Sequence, residues 1–145
     1  MLNGFAKLVK NCVVMCLLLG AVPVMAIDFW HAGTAWAGQG QCSAQFIFDG
    51  SGDWDGVKKL RVTVSVLDKA GKELKSGLLE IDEFATSEAD RYASAFLEGE
   101  EICDDDLAIV VRKASAVIAG KQRDLVKEKL LSARSFKPFR IKIGK

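Results

Sequence analysis

The placement of the four cysteines constrains this chain more than any other feature of its sequence. Cys12 and Cys16 lie within residues 1–26, a segment with two lysines, an apolar run and a small-residue end. That pattern is typical of a secretory signal peptide, which is removed on export. Cys42 and Cys103 remain, and an even pair of cysteines in an oxidising compartment usually forms a disulfide. We therefore predict an exported protein, secreted or periplasmic, with a Cys42–Cys103 bridge.

Two other interpretations of residues 1–26 fit the sequence less well. A transmembrane helix needs about 20 consecutive apolar residues, whereas the apolar run that begins at Cys12 is shorter and is interrupted by Pro23. A lipoprotein cysteine would follow a small residue, whereas Cys16 follows Met15. The sequence therefore predicts no membrane association once the signal peptide has been removed.

The remaining residues, 27–145, have the length of one ordinary domain. Their charge is distributed unevenly, since residues 27–120 hold 9 basic and 17 acidic side chains and residues 121–145 hold 9 basic and 2 acidic ones. The interpretation we favour is that the basic end packs near the acidic part of the fold. The alternative is a basic patch for an acidic partner, although export argues against nucleic acid as that partner.

Hydrophobic alternation recurs through residues 27–145 in short segments, which predicts strands rather than long helices. The predicted strands are residues 27–41 (a strand or an extended arm), 42–48, 60–66, 74–81, 92–97, 103–111, 115–118 and 139–143. The alternation of the fourth of these slips near Gly77, which predicts a bulge or a bend. Residues 124–131 fit either a short helix or a strand.

Seven or eight short strands separated by turn residues are typical of two sheets packed face to face. The predicted fold class is therefore an all-β sandwich, in which Cys42 and Cys103 each end an apolar face and point inward. On the chain-entropy model a bridge that closes a loop of about 60 residues stabilises the fold by about 4 kcal/mol. The alternative is a small α+β fold with helices over residues 88–97 and 125–134.

The sequence lacks the residue sets on which enzymes and metal centres depend. His31 is the only histidine, so we interpret it as a packing or surface residue rather than a metal ligand. No nucleophile, phosphate-binding or dinucleotide-binding motif occurs in a usable context. The distance between Cys42 and Cys103 in the sequence also favours a structural bridge over a redox-active pair. We predict a protein that is not an enzyme, with no catalytic residue, cofactor or metal.

Two acidic segments require an interpretation of their own. Residues 49–56 superficially resemble a calcium loop, but the twelfth position is Leu60 where an EF-hand needs glutamate, so a turn is favoured. Residues 98–106 hold six acidic side chains and are interpreted as a solvated loop, with a recognition surface or a weak cation site as the alternative. Trp54 lies in the first segment, where an aromatic side chain either anchors a partner or folds back over a sheet edge.

Three stretches of the sequence resemble a known family. They are residues 27–34 (IDFWHAGT), residues 40–46 (GQCSAQF) and residues 91–100 (RYASAFLEGE). These stretches are similar to the interleukin receptor mimic protein A (IrmA) family of Escherichia coli. The similarity extends over most of residues 27–145 and includes both Cys42 and Cys103.

The resemblance implies a sandwich similar to fibronectin type III domains and to cytokine receptor ectodomains. It also implies a strand-exchanged homodimer and the binding of host interleukins, with a role in immune modulation and virulence. The alternative is a periplasmic envelope protein, such as a small inhibitor or an assembly factor. No family motif assigns contact residues, so the predicted partner-binding site rests on the residues themselves: the loop 49–56, with Trp54 as its anchor.

Overall fold

The computed structural model describes residues 26–52, 54–136 and 138–144. The predicted signal peptide therefore lies outside the described residues, except for Ala26. The strands are β1 (Ala26–Gly38), β2 (Gln41–Ser51), β3 (Val57–Leu67), β4 (Glu73–Phe84), β5 (Tyr92–Gly99), β6 (Ala108–Ile118), β7 (Lys121–Asp124), β8 (Leu131–Arg134) and β9 (Arg140–Ile143). A 3₁₀ turn, Glu101–Cys103, lies between β5 and β6. No helix in these ranges is long and apolar enough to cross a membrane.

The strands form two sheets, one in the order β5–β2–β1–β8 and the other in the order β4–β3–β6–β7, with β9 also paired to β6. Most neighbours are antiparallel, but β8 runs parallel to β1 and β9 runs parallel to β6. Two such sheets, connected in this order, form a fibronectin type III-like sandwich. The prediction of an all-β sandwich is confirmed. The α+β alternative is wrong, since residues 92–99 form β5 and residues 125–129 form turns.

The core lies between the two sheets and is built from the side chains that alternate inward. The rings of Phe29 in β1 and Phe48 in β2 are stacked, with their centroids 5.0 Å apart. Opposite them, the inward side chains of β3 are almost inaccessible to solvent. The large, fully buried side chains are Phe29, Phe46, Phe48, Phe84, Phe139, Ile27, Leu60, Leu79, Ile102, Leu107, Ile109 and Leu125. Burial of this alternating set is what selects strands over helices.

The disulfide between Cys42 and Cys103 is present, with a Cα–Cα distance of 5.1 Å across 61 residues of sequence. Cys42 is buried in β2, as predicted. The prediction that Cys103 also points inward is wrong, because Cys103 lies in the 3₁₀ turn before β6 and is exposed. That turn breaks the alternation, so Ile102 fills the interior in its place.

Strand β4 has no bulge at Gly77 itself, and its register shift against β3 lies at Leu74, three residues earlier. The β3–β4 pairing continues through Gly77, which lies opposite Val64. Gly77 instead allows the two sheets to approach closely, because a Cβ at that position would lie 2.5 Å from Cδ2 of Leu97 in β5. Another bulge lies in β6, where the register against β3 shifts between Val111 and Lys113. The predicted strands 103–111 and 115–118 are joined through this bulge as one strand.

The N-terminal segment is a fully paired strand rather than a free arm. Strand β1 pairs with β2 from Ala26 to Gly38, and its residues Ile27–Trp30 also pair with β8. A turn at Gln39 and Gly40 then leads into β2, and both residues have positive φ, +51° and +76°. The hairpin of β1 and β2 is therefore the centre of the first sheet.

Gly50 in β2 allows a close approach to the connection between β4 and β5. A Cβ at position 50 would lie 2.5 Å from Cβ of Ala85 and 3.1 Å from Cε2 of Phe84. Because a Cβ atom cannot move without its backbone, we expect Gly50→Ala to lower the free energy of unfolding by about 2 kcal/mol. The measurement is denaturant unfolding of the oxidised protein.

A second substitution tests whether this contact is the cause. Ala85 has a φ of +61°, which glycine adopts without strain. The double variant Gly50→Ala/Ala85→Gly should therefore recover most of the lost stability, with Ala85→Gly alone as the control. If Gly50→Ala and Gly50→Ala/Ala85→Gly are equally stable, a contact other than the one with Ala85 causes the loss of stability.

Candidate binding surface

The outer surface of the four-stranded sheet carries a group of aromatic and cationic side chains. Trp30 of β1 lies beside Ile47 of β2 on one side and beside Arg134 of β8 on the other. Together with Arg91 and Tyr92, at the start of β5, they line an open hollow of about 590 Å³. We call these five residues the aromatic face. They point outward because their strand neighbours, such as Phe29, fill the core.

The rings and guanidinium groups of the aromatic face contact one another. Trp30 and Tyr92 meet edge to face, with centroids 6.4 Å apart and an interplanar angle of 77°. Cζ of Arg91 lies 5.1 Å from the Tyr92 centroid, and Cζ of Arg134 lies 5.5 Å from the Trp30 centroid. These distances are typical of cation–π contacts. The result is an ordered surface assembled from segments that are far apart in the sequence.

Two carboxylates hold the guanidinium groups in place. Arg91 donates to Asp49 from Nε (2.5 Å) and from Nη2 (2.8 Å), and this hydrogen bonding raises the pKa of Arg91. Asp49 is only 4% exposed. Arg134 donates from Nη2 to Oδ2 of Asp28 at 2.6 Å. Because each cation has a carboxylate partner, the surface suits binding by burial of aromatic area more than attraction by net charge.

Trp54, the predicted anchor, lies in the connection between β2 and β3. Its side chain is 37% exposed, and its φ is +58°. A bulky residue in this left-handed region is uncommon, and backbone strain of this kind accumulates where a side chain is held for binding. The structure therefore keeps Trp54 as a candidate contact residue at the surface of the sandwich.

The connection that carries Trp54 lies at the same end of the sandwich as two others. Val57, the first residue of β3, pairs with Phe84 at the end of β4 and with Ile118 at the end of β6. The β2–β3, β4–β5 and β6–β7 connections therefore cluster at one end. The aromatic face begins at this end as well, because Asp49 pairs with Tyr92 there.

The β4–β5 connection at this end is ordered by its own hydrogen bonds. Asp90 accepts hydrogen bonds from the backbone N–H and the hydroxyl of both Thr86 and Ser87, at 2.6 to 3.1 Å. These bonds lower the pKa of Asp90 to about 2. A Cβ at Gly56 would lie 3.1 Å from Cγ2 of Thr86, so this ordered loop packs directly beside the connection that carries Trp54.

The two acidic segments do not form one site. Asp49 belongs to β2 and is occupied by Arg91, so it is not a free carboxylate of the Trp54 loop. Residues 98–106 lie at the opposite end of the sandwich, beside the disulfide and the Gln39–Gly40 turn. No group of three or more His, Cys, Asp or Glu side chains in the described part of the chain is arranged to hold a metal ion.

His31 lies in the interior rather than on the surface. It is 5% exposed, and its ring is stacked on Phe139 with centroids 4.1 Å apart. Its Nε2 is 2.8 Å from Oγ1 of Thr34. Burial lowers the pKa of His31, which is therefore kept neutral by its surroundings. The packing interpretation accounts for all of these contacts.

Sequence reasoning missed the aromatic face because its contacts are long-range. Alternation around Phe29 would place Trp30 outward, and Arg91 and Tyr92 are adjacent in the sequence. Nothing local connects them to Arg134, which reaches Asp28 across 106 residues through the parallel pairing of β1 with β8. An outward-facing tryptophan in an otherwise alternating strand is the one signal that the sequence offers.

Comparisons with known proteins agree with this fold. The family model described as interleukin receptor mimic protein A matches residues 27–133. The chain belongs to the interleukin receptor mimic protein A family. The solved structure of IrmA from Escherichia coli is similar to this chain, with a TM-score of 0.65 and 28% sequence identity. The similarity covers 79% of this chain and 95% of the IrmA chain. A search of curated proteins finds no match.

The family assignment suggested by the three stretches of sequence is thereby confirmed. The part that matches the IrmA family includes both cysteines, Trp54 and four of the five residues of the aromatic face. Arg134 lies one residue beyond it. Apart from Ala26, the first residue of β1, the β1–β2–β5 framework that presents the aromatic face lies within the matched part.

The two ion pairs of the aromatic face should differ in their effect on stability. Arg91→Ala leaves the buried Asp49 carboxylate without its partner, and we expect it to lower the free energy of unfolding more than loss of the other pair does. Arg134→Ala leaves Asp28, whose side chain is 26% exposed, in contact with water, and we expect a loss of about 1 kcal/mol or less. Denaturant unfolding of both variants at pH 7 measures the difference. Equal losses would mean that burial of Asp49 does not anchor this surface.

Proposed function

We propose that this protein is an exported binding protein that engages a host interleukin and thereby modulates immune signalling. The observation that carries the proposal is the match of residues 27–133 to the interleukin receptor mimic protein A family. The role is one of recognition without a catalytic step. The disulfide between Cys42 and Cys103 supports export, because such bridges persist in oxidising compartments.

The arrangement of the loops supports this proposal. Three connections cluster at one end of a rigid sandwich, and loops on such scaffolds are the usual place for binding residues. Trp54 lies there, and the aromatic face extends from there along the first sheet. Tryptophan, tyrosine and arginine are the residue types that dominate protein–protein hot spots. This end of the sandwich therefore offers a partner both an anchor, Trp54, and an adjoining surface, the aromatic face.

A binding screen tests the proposal directly. Purified residues 27–145 are immobilised and exposed to a panel of host interleukins, with an unrelated fibronectin type III domain as the control. Saturable binding of at least one interleukin is expected, and the absence of binding to every member of the panel would overturn the proposal. Cell fractionation distinguishes this proposal from the alternative of a periplasmic envelope protein. Retention in the periplasm without interleukin binding would favour an envelope inhibitor or assembly factor.

Trp54→Ala should weaken interleukin binding while leaving the melting temperature nearly unchanged. Truncation of a tryptophan that is a hot spot typically costs at least about 2 kcal/mol, which is roughly thirtyfold in affinity. The matched control is Trp36→Ala, because Trp36 is 74% exposed and pairs with Cys42 at the other end of the sandwich. Titration calorimetry and thermal unfolding provide the two measurements.

Two outcomes would contradict the role of Trp54. If affinity is retained and stability falls, Trp54 is a packing residue and the partner contacts another surface, either the aromatic face or residues 98–106. If Trp36→Ala weakens binding as much as Trp54→Ala, the end of the sandwich that carries the disulfide contributes to the interface.

We also propose that the chain forms a homodimer by strand exchange. Because β1 is paired on both sides, the N-terminal segment is not the element best suited to exchange. Strands β8 and β9 are better suited, since each has four residues and they pair in parallel with different sheets. Exchange would reproduce the contacts of the monomer between two copies.

Light scattering of the purified protein should give twice the mass of one chain. The test variant lengthens the connection between β8 and β9 by inserting four glycine and serine residues after Phe136. A longer hinge lets the exchanged strand fold back, so this variant should shift toward the monomer. A monomer at every accessible concentration of the unmodified protein would remove the dimer from the proposal.

A further inference from the structure

A groove on the second sheet carries basic side chains that the proposed function does not use. Strands β7 and β9 pair with the same edge of β6, at Ser115–Ile118 and at Ala108–Val111 respectively. Between these two pairings an open groove of about 550 Å³ follows the edge of β6. Its lining includes Arg112 and Lys113 from β6 and Lys127 from the turn after β7.

The bulge in β6 is what places two cations together in this groove. In a regular strand, successive side chains point to opposite faces. The register shift between Val111 and Lys113 removes that alternation, and both Arg112 and Lys113 are exposed. Nε of Arg112 donates to Oγ of Ser65 at 3.0 Å, which holds its guanidinium group on the outer side of the sheet.

Strand β9 continues the positive charge along the same edge. Arg140 lies opposite Ala108 and Lys142 lies opposite Val110, so both point to the outer side with Arg112 and Lys113. We call these four residues the basic strip. None of them forms an ion pair with a described residue. From the level of Ala108 to Lys113 the strip extends over roughly 16 Å.

The other half of the same sheet surface is neutralised. Lys58 and Arg61 of β3 pair with Glu83 and Glu80 of β4 at 3.5 and 3.2 Å. Positive charge that attracts anions is therefore concentrated at the edge formed by β6 and β9 rather than spread over the whole face.

We propose that the basic strip binds a sulfated linear polysaccharide of the glycosaminoglycan class. Beside its cations, the groove presents the hydroxyl of Ser115, the amide of Gln122 and the apolar side chain of Val126. Hydroxyl and amide groups suit sugar hydroxyls, the apolar side chain suits the face of a sugar ring, and the cations suit sulfate groups. Asp124, which also lines the groove, accepts hydrogen bonds from the backbone of Val126 and Lys127.

Other polyanions fit this surface less well. Single-stranded nucleic acid needs aromatic side chains on which bases stack, and none of the described residues that line the groove is aromatic. A membrane surface favours apolar or aromatic side chains that insert beside the cations. The exposed aromatic rings that lie on strands, Trp36, Tyr92 and Phe96, belong to the opposite sheet.

The experiment measures binding of a heparin-derived hexasaccharide to the full mature protein by titration calorimetry at 50 and 150 mM NaCl. Saturable binding that weakens with salt is expected, together with much weaker binding of the desulfated hexasaccharide. The variant Lys113→Ala/Lys142→Ala should lose about tenfold in affinity and show a shallower salt dependence. The matched control Lys58→Ala/Arg61→Ala changes the charge equally on the same sheet and should stay within about twofold.

Three results would overturn this proposal. They are no binding of the sulfated hexasaccharide at 150 mM NaCl, equal losses in the two double variants, or binding to phosphatidylserine-containing vesicles without binding to the hexasaccharide. Circular dichroism and thermal unfolding of the same variants show that they are folded. The proposal is independent of the proposed function, so neither result decides the other.

Discussion

The register of β1 determines both the interior and the outer surface of the first sheet. On its inner side Phe29 stacks on Phe48 and His31 stacks on Phe139, which joins the C-terminal segment to the core. On its outer side Trp30 contacts Tyr92 and Arg134. A slip of one residue would exchange these two sets of side chains. The core and the aromatic face therefore depend on the same backbone pairing, and neither can change without the other.

That pairing is fixed differently at the two ends of the sandwich. At one end Cys42 is covalently tied to Cys103, which attaches the β1–β2 hairpin to the 3₁₀ turn. At the other end the buried Asp49 carboxylate holds Arg91, and Asp90 orders the β4–β5 connection through four hydrogen bonds. The loops around Trp54 are therefore held by ordered contacts, which lowers the conformational entropy that is lost when a partner binds.

Local alternation predicted the strands well, because the side chains that fill the core mark their own strand. Two predicted strands are examples. Residues 60–66 lie within β3, and residues 139–143 consist of β9 and the residue directly before it. The prediction at Gly77 failed because the glycine is needed for close approach to Leu97, which lies on the other sheet. The aromatic face and the β6 bulge depend in the same way on partners distant in sequence. Local pattern records which face is buried, but not which strand lies beside it.

The distribution of charge was also only partly predictable from local sequence. The simplest expectation was that the basic C-terminal segment packs near acidic residues. Part of the basic C-terminal segment does reach acidic residues, as Arg134 reaches Asp28. The parallel pairing of β9 with β6, however, brings Arg140 and Lys142 beside Arg112 and Lys113, so like charges share one edge. Such neighbours repel one another, and an anionic ligand at that edge would relieve the repulsion. Because this edge and the aromatic face lie on opposite sheets, a protein bound to one leaves the other open.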